Sequence, residues 1–152
     1  MKNLILLPIL CCTAYAVDDR FVDAVAQIES SGRSQVVGDN GLAVGMFQMH
    51  REAWEQVSAM RAKKKQPTYD YAIAKTPSVA RMYAKDYLDW IEARLTKTLG
   101  RQPLPWEIYA GYNRGLGGFA DAGHKFENLP PHTQRACSRL SNLLSQDLTK
   151  KH

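Results

Sequence analysis

A chain of 152 residues with a net charge of +5 is expected to form one domain with a mild basic excess. That excess suits an anionic polymer. No nucleic-acid motif accompanies it, and the basic run at 61–65 lacks interleaved aromatics and reads as a solvated helix end, so no nucleic-acid partner is expected.

The chain opens on a secretory signal. Lys2 supplies the positive flank, residues 4–10 form an apolar run broken only by Pro8, and Ala14-Tyr15-Ala16 is a small-x-small cleavage site. The run is too short to cross a bilayer, which takes roughly 20 residues. Residues 1–16 are therefore expected to be removed, leaving 17–152 as a single exported domain, periplasmic or extracellular, with no stable membrane insertion. A retained N-terminal anchor is the alternative; a lipoprotein is weaker, because Leu10 is large for the position before a modified Cys11. Cleavage takes away Lys2 and no acid, so the net charge falls from +5 to +4. Cys11 and Cys12 leave with the signal. Cys137 then has no partner in the chain and sits in an apolar stripe, as a buried thiol would.

Residues 18–30 read as a first helix, with Phe21, Val25 and Ile28 on one stripe and Asp18-Asp19 at the N-terminal dipole. Glu29 falls at the edge of that stripe, and Ser30-Ser31-Gly32 ends the helix. Residues 31–47 are rich in Gly, Ser, Asp and Asn. Asn40-Gly41 favours a tight turn, so a short irregular or two-stranded ribbon is expected near 35–45. Residues 48–62 read as a second helix with Met49, Ala53, Trp54 and Val57 inward, and 66–75 as a connector. Thr76-Pro77 starts a third helix that runs to Leu99 and closes on Gly100. A fourth covers 106–113, halted by Gly115, Gly117 and Gly118. Pro130-Pro131 starts the last, with Ala136, Leu140, Leu143, Leu144 and Leu148 buried. The fold class is mainly α, with five helices and almost no sheet.

Three signals stand out in order: Glu29-Ser30, Gly45-Met46-Phe47-Gln48, and Ala110-Gly111-Tyr112-Asn113-Arg114-Gly115. Together they resemble the soluble lytic transglycosylases and goose-type lysozymes, over most of residues 18–145. Gly45 to Gln48 is similar to the family's Gly-Leu-Met-Gln, and residues 111–115 to its Ala-Tyr-Asn-x-Gly. Residues 129–135 resemble its Pro-x-x-Glu-Thr-Arg element, but the Glu is absent and Cys137 stands where an aromatic is usual.

The resemblance implies a lysozyme-like helical domain that cuts peptidoglycan glycan strands between N-acetylmuramic acid and N-acetylglucosamine. Glu29 is then the acid that protonates the leaving oxygen, which it can do near neutral pH only if apolar surroundings raise its pKa. Tyr112 is assigned to hold that carboxyl by a hydrogen bond. Ser30, Gly45, Met46, Phe47, Gln48 and Asn113 are expected to meet substrate, with Gly45 allowing close approach of backbone to the sugar. The preferred outcome is a 1,6-anhydro product through one acid assisted by the substrate's N-acetyl group. The rival is hydrolysis, with Asp39 as a second carboxylate orienting water. Non-catalytic binding of glycan, or assembly work beside a secretion or pilus apparatus, is the alternative class. No cofactor is expected, and no metal, since His50, His124, His132 and His152 lack ligand spacing. The chain is expected to act as a monomer.

Overall fold

The order of elements follows from where the chain can and cannot continue a helix. The structure is a computed structural model that describes residues 17–149; residues 1–16, expected as a signal segment, with Cys11 and Cys12, and His152 lie outside them, as does the expected burial of the Leu148 side chain. Helix α1 (Asp19–Ser30) starts where the Asp18 carboxylate accepts the Phe21 N–H at 2.9 Å. It ends at Ser31, whose left-handed backbone turns its N–H onto the carbonyls of Ala26 and Gln27. Three two-residue strands follow: β1 (Val37–Gly38), β2 (Ala43–Val44) and β3 (Met49–His50). They form an antiparallel sheet in sequence order, with Val37 opposite Val44 and Val44 opposite Met49.

The ribbon therefore has three strands where two were expected. The third arises because Gln48 takes a left-handed backbone (φ 48°) that no helix tolerates. Met49 and His50 then pair with β2, and helix α2 begins three residues late, at Arg51–Lys63.

The connector that follows α2 is pinned from both sides. Trp54 stacks on Tyr83 at 3.8 Å and donates its indole N–H to the Tyr69 carbonyl. Arg61, expected in a solvated basic run, is instead buried. Its guanidinium reaches the Pro67 carbonyl at 2.7 Å and Asp86 at 2.5 Å. Desolvation of that charge is offset by two acceptors, one of them ionised.

Helix α3 (Pro77–Leu99) has the bounds expected from Thr76-Pro77 and Gly100. Thr76 is the N-cap residue, but its side chain makes no capping bond. Helix α4 (Pro105–Asp121) outruns its expected end. Gly115 (φ 72°, ψ 158°) bends the chain without stopping it, and a second arm continues to Asp121. Helix α5 (Pro131–Thr149) closes the fold against α4 and α1.

All five helices feed one core. Phe21 and Val25 come from α1, Trp54 and Val57 from α2, Leu88 and Ile91 from α3, Ile108 and Phe119 from α4, and Leu140 from α5. The fold is thus mainly helical with a small antiparallel sheet, the lysozyme-like class expected. Cys137 is fully buried, and burial pushes its thiol up to about 12, which keeps it protonated and inert.

Candidate active site

The end of α1, the ribbon and α4 converge on a cleft of about 740 Å³. Ser30 fixes the first contact. It is buried, and its hydroxyl donates to the Met46 carbonyl at 2.8 Å, which ties the end of α1 to the turn before β3. Gly45 fixes the second. Its backbone is left-handed (φ 79°), and a side chain there would stand 2.5 Å from the Ala74 carbonyl oxygen. The close approach that Gly45 permits is therefore to the chain itself, not to a ligand.

Glu29 lines the cleft, half-buried at the wall made by α1. Its Oε1 accepts a hydrogen bond from the Tyr109 hydroxyl at 2.8 Å. Burial pushes the carboxyl up to about 7. The Tyr109 bond pulls the other way, the Asp39 charge adds to the rise, and His50 opposes it. Tyr109 is itself shifted far upward, by burial first and the Glu29 charge next, so the phenol keeps its proton and serves as a donor.

Tyr112, expected to hold the carboxyl, does something else. Its hydroxyl donates to the Phe47 carbonyl at 2.7 Å. The two phenols are three residues apart on α4 and share a face, with rings stacked at 6.4 Å. The inner one, Tyr109, meets Glu29, and the outer one, Tyr112, meets the ribbon. The spacing Tyr109-x-x-Tyr112 was visible in the sequence and is the signal that marks Tyr109.

The other expected contacts divide. Gln48 and Asn113 line the cleft. The Gln48 amide donates to Val36 and Gly45 carbonyls, which holds the turn, and Asn113 accepts from the Thr133 hydroxyl at 2.9 Å. Ser30, Gly45, Met46 and Phe47 do not line it; Phe47 is fully buried and Met46 packs on the core. They build the wall instead of touching its open side. Asp39 does line the cleft, from a left-handed turn (φ 47°), and its carboxylate meets His50 at 2.8 Å. Residues not expected in the site complete the lining, among them Met49, His50, Tyr87, Arg114 and His132. Among the described residues, no group of three or more His, Cys, Asp and Glu side chains gathers as a metal site requires.

A half-buried carboxyl poised near neutrality beside a proton-holding phenol, at the edge of an open cleft, can deliver a proton to a bound ligand. The transglycosylase SLT domain model matches residues 11–133. The chain belongs to this family. Transglycosylase SLT enzymes are lytic transglycosylases, which degrade peptidoglycan outside the cytoplasm. The match spans all three motifs and the Glu29–Tyr109 pair. No curated protein matches the chain significantly. Among the described residues, no helix is long and apolar enough to cross a membrane.

Proposed function

We propose that Glu29 is the acid of a lytic transglycosylase that breaks the bond between N-acetylmuramic acid and N-acetylglucosamine and leaves a 1,6-anhydro end. The observation that carries this reading is the Glu29 carboxyl, raised to about 7 by burial and bonded to Tyr109. Protonated, Glu29 gives its proton to the glycosidic oxygen as the bond to C1 breaks. The N-acetyl carbonyl of the muramic sugar supports the positive charge at C1. The Glu29 carboxylate then takes the proton of the C6 hydroxyl, whose oxygen closes on C1. No second protein carboxylate is required.

Asp39 favours the hydrolytic alternative in one respect, since it lines the same cleft and its charge acts on Glu29. Against that, it is exposed and sits in a surface pair with His50, where no burial fixes a water against the sugar. We also infer that the protein is exported through residues 1–16 and acts as a monomer.

Mass spectrometry of muropeptides released from purified peptidoglycan tests the product. Anhydro ends are expected. Reducing ends would replace this route with hydrolysis, and no release at all would leave a binding module.

A further inference from the structure

The cleft is electrically lopsided. Its acids and one histidine come from the ribbon, α1 and the start of α2: Glu29, Asp39, His50 and Glu52. The wall built by α4 and α5 contributes no acid and carries Arg114 and His132. Arg114 is exposed and forms no ion pair among the described residues. Among the described residues, five other arginines pair with carboxylates: Arg20 with Asp18, Arg51 with Glu55, Arg61 with Asp86, Arg81 with Asp19 and Asp23, and Arg101 with Glu107.

Arg114 also lies against its own helix. It occupies the variable position of Tyr112-Asn113-Arg114-Gly115, directly before the bend in α4. Beyond the bend, Gly118 has no side chain, and a Cβ there would lie 3.4 Å from the Arg114 Cβ and 3.7 Å from its Nε. The arginine stem therefore lies along the second arm of α4. His132 stands in the first turn of α5, whose N-terminal dipole adds positive potential to the same wall.

We propose that Arg114, aided by His132, is a specificity-determining site for a carboxylate borne on the muramic residue of the substrate. The inference rests on peptidoglycan being the ligand and adds how a strand is oriented in the cleft. A guanidinium keeps its charge at every physiological pH and pairs with carboxylates through two parallel N–H donors. Asp39 and Glu52 opposite repel the same group, so attraction at one wall and repulsion at the other both select the orientation in which muramic carboxylates lie against α4 and α5. Two carboxylates fit this chemistry: the free lactyl group of a strand stripped of peptide, and the first acid of an intact peptide stem.

Binding is read in a Glu29→Gln background, which prevents turnover. Four soluble ligands are titrated: stripped strands, stem-bearing strands, and each after amidation of its carboxyl groups. The expected result is binding about tenfold tighter to the charged form than to the amidated form in at least one pair, equivalent to ~1.4 kcal/mol. The pair that shows it identifies the carboxylate. Adding Arg114→Gln should bring that ratio close to one, and Arg114→Lys should restore part of it. A ratio that survives Arg114→Gln, a loss equal for charged and amidated strands, or no charge preference at all overturns the proposal. Failure of the wild-type protein to release muropeptides while the binding preference persists would remove the enzymatic reading and leave this site standing.

Discussion

Two glutamates on neighbouring parts of the helical wall meet opposite surroundings. Glu107, in the first turn of α4, is 1% exposed and fully engaged. Arg101 grips both its oxygens at 2.7 and 2.8 Å, and the Leu104 N–H reaches it at 2.6 Å. Glu29, at the last turn of α1, is less buried and has one neutral partner, the Tyr109 hydroxyl. A buried carboxylate with a guanidinium and a backbone donor is a brace. A carboxyl that loses water and gains no cation keeps its proton until something basic arrives. Burial alone thus does not raise a carboxyl toward neutrality; burial without a countercharge does.

The largest break in this contrast comes from Glu29→Gln. Removal of the transferable proton should lower the rate by about 10²–10⁴-fold, measured as muropeptide release per folded protein. Glu107→Ala should do the reverse. It is expected to cost about 2–3 kcal/mol in urea unfolding, because the Leu104 N–H and the Arg101 guanidinium lose their acceptor, while turnover per folded molecule holds. Loss of turnover without loss of stability would make Glu107 part of the chemistry.

The proton on Glu29 also leaves a mark on stability. Its pKa rises from the ordinary 4.5 to about 7 on folding. Below pH 4.5 both states hold the proton and nothing is lost; as pH climbs through 7 the folded state must ionise a desolvated group. Glu29→Gln should therefore be more stable than the wild type at pH 8, by on the order of 1–3 kcal/mol, with the gap closing by pH 4. An equal gap at both pH values would mean that the carboxyl is not desolvated.

The two phenols supply the finest distinction. The active form carries the proton, so activity should be present below about pH 7 and fall above it. Tyr109→Phe removes a bond that favours the ionised carboxylate, so the falling limb should move to higher pH, with a several-fold lower rate from lost orientation. Tyr112→Phe should leave the limb in place and cost about 1 kcal/mol of stability, since its hydroxyl serves the Phe47 carbonyl. A limb that moves with Tyr112 and not with Tyr109 would exchange their roles.

The helices were legible because their signals are local. Apolar stripes, Pro77 and Gly100 set α3 to the residue. The place of Glu29 at the cleft wall was legible from its stripe edge and the motifs behind it. What was not legible depends on backbone that leaves the usual regions. Gln48 in a left-handed conformation has no glycine to announce it, and it moved the start of α2 and added a strand. At Gly115 the glycine was noticed but taken for a stop, because composition does not distinguish a bend from an end. The exchange of Tyr112 for Tyr109 has another origin. A residue's place in a motif says which face it shares, not which of two phenols one turn apart stands deeper.

The Tyr112–Phe47 and Ser30–Met46 bonds fasten the helical wall to the ribbon at two adjacent residues. Strands of cell wall differ in thickness wherever peptides branch or cross-link. With the ribbon pinned beside Glu29 at both residues, bulk of that kind is expected to find room at the outer rim and not next to the proton.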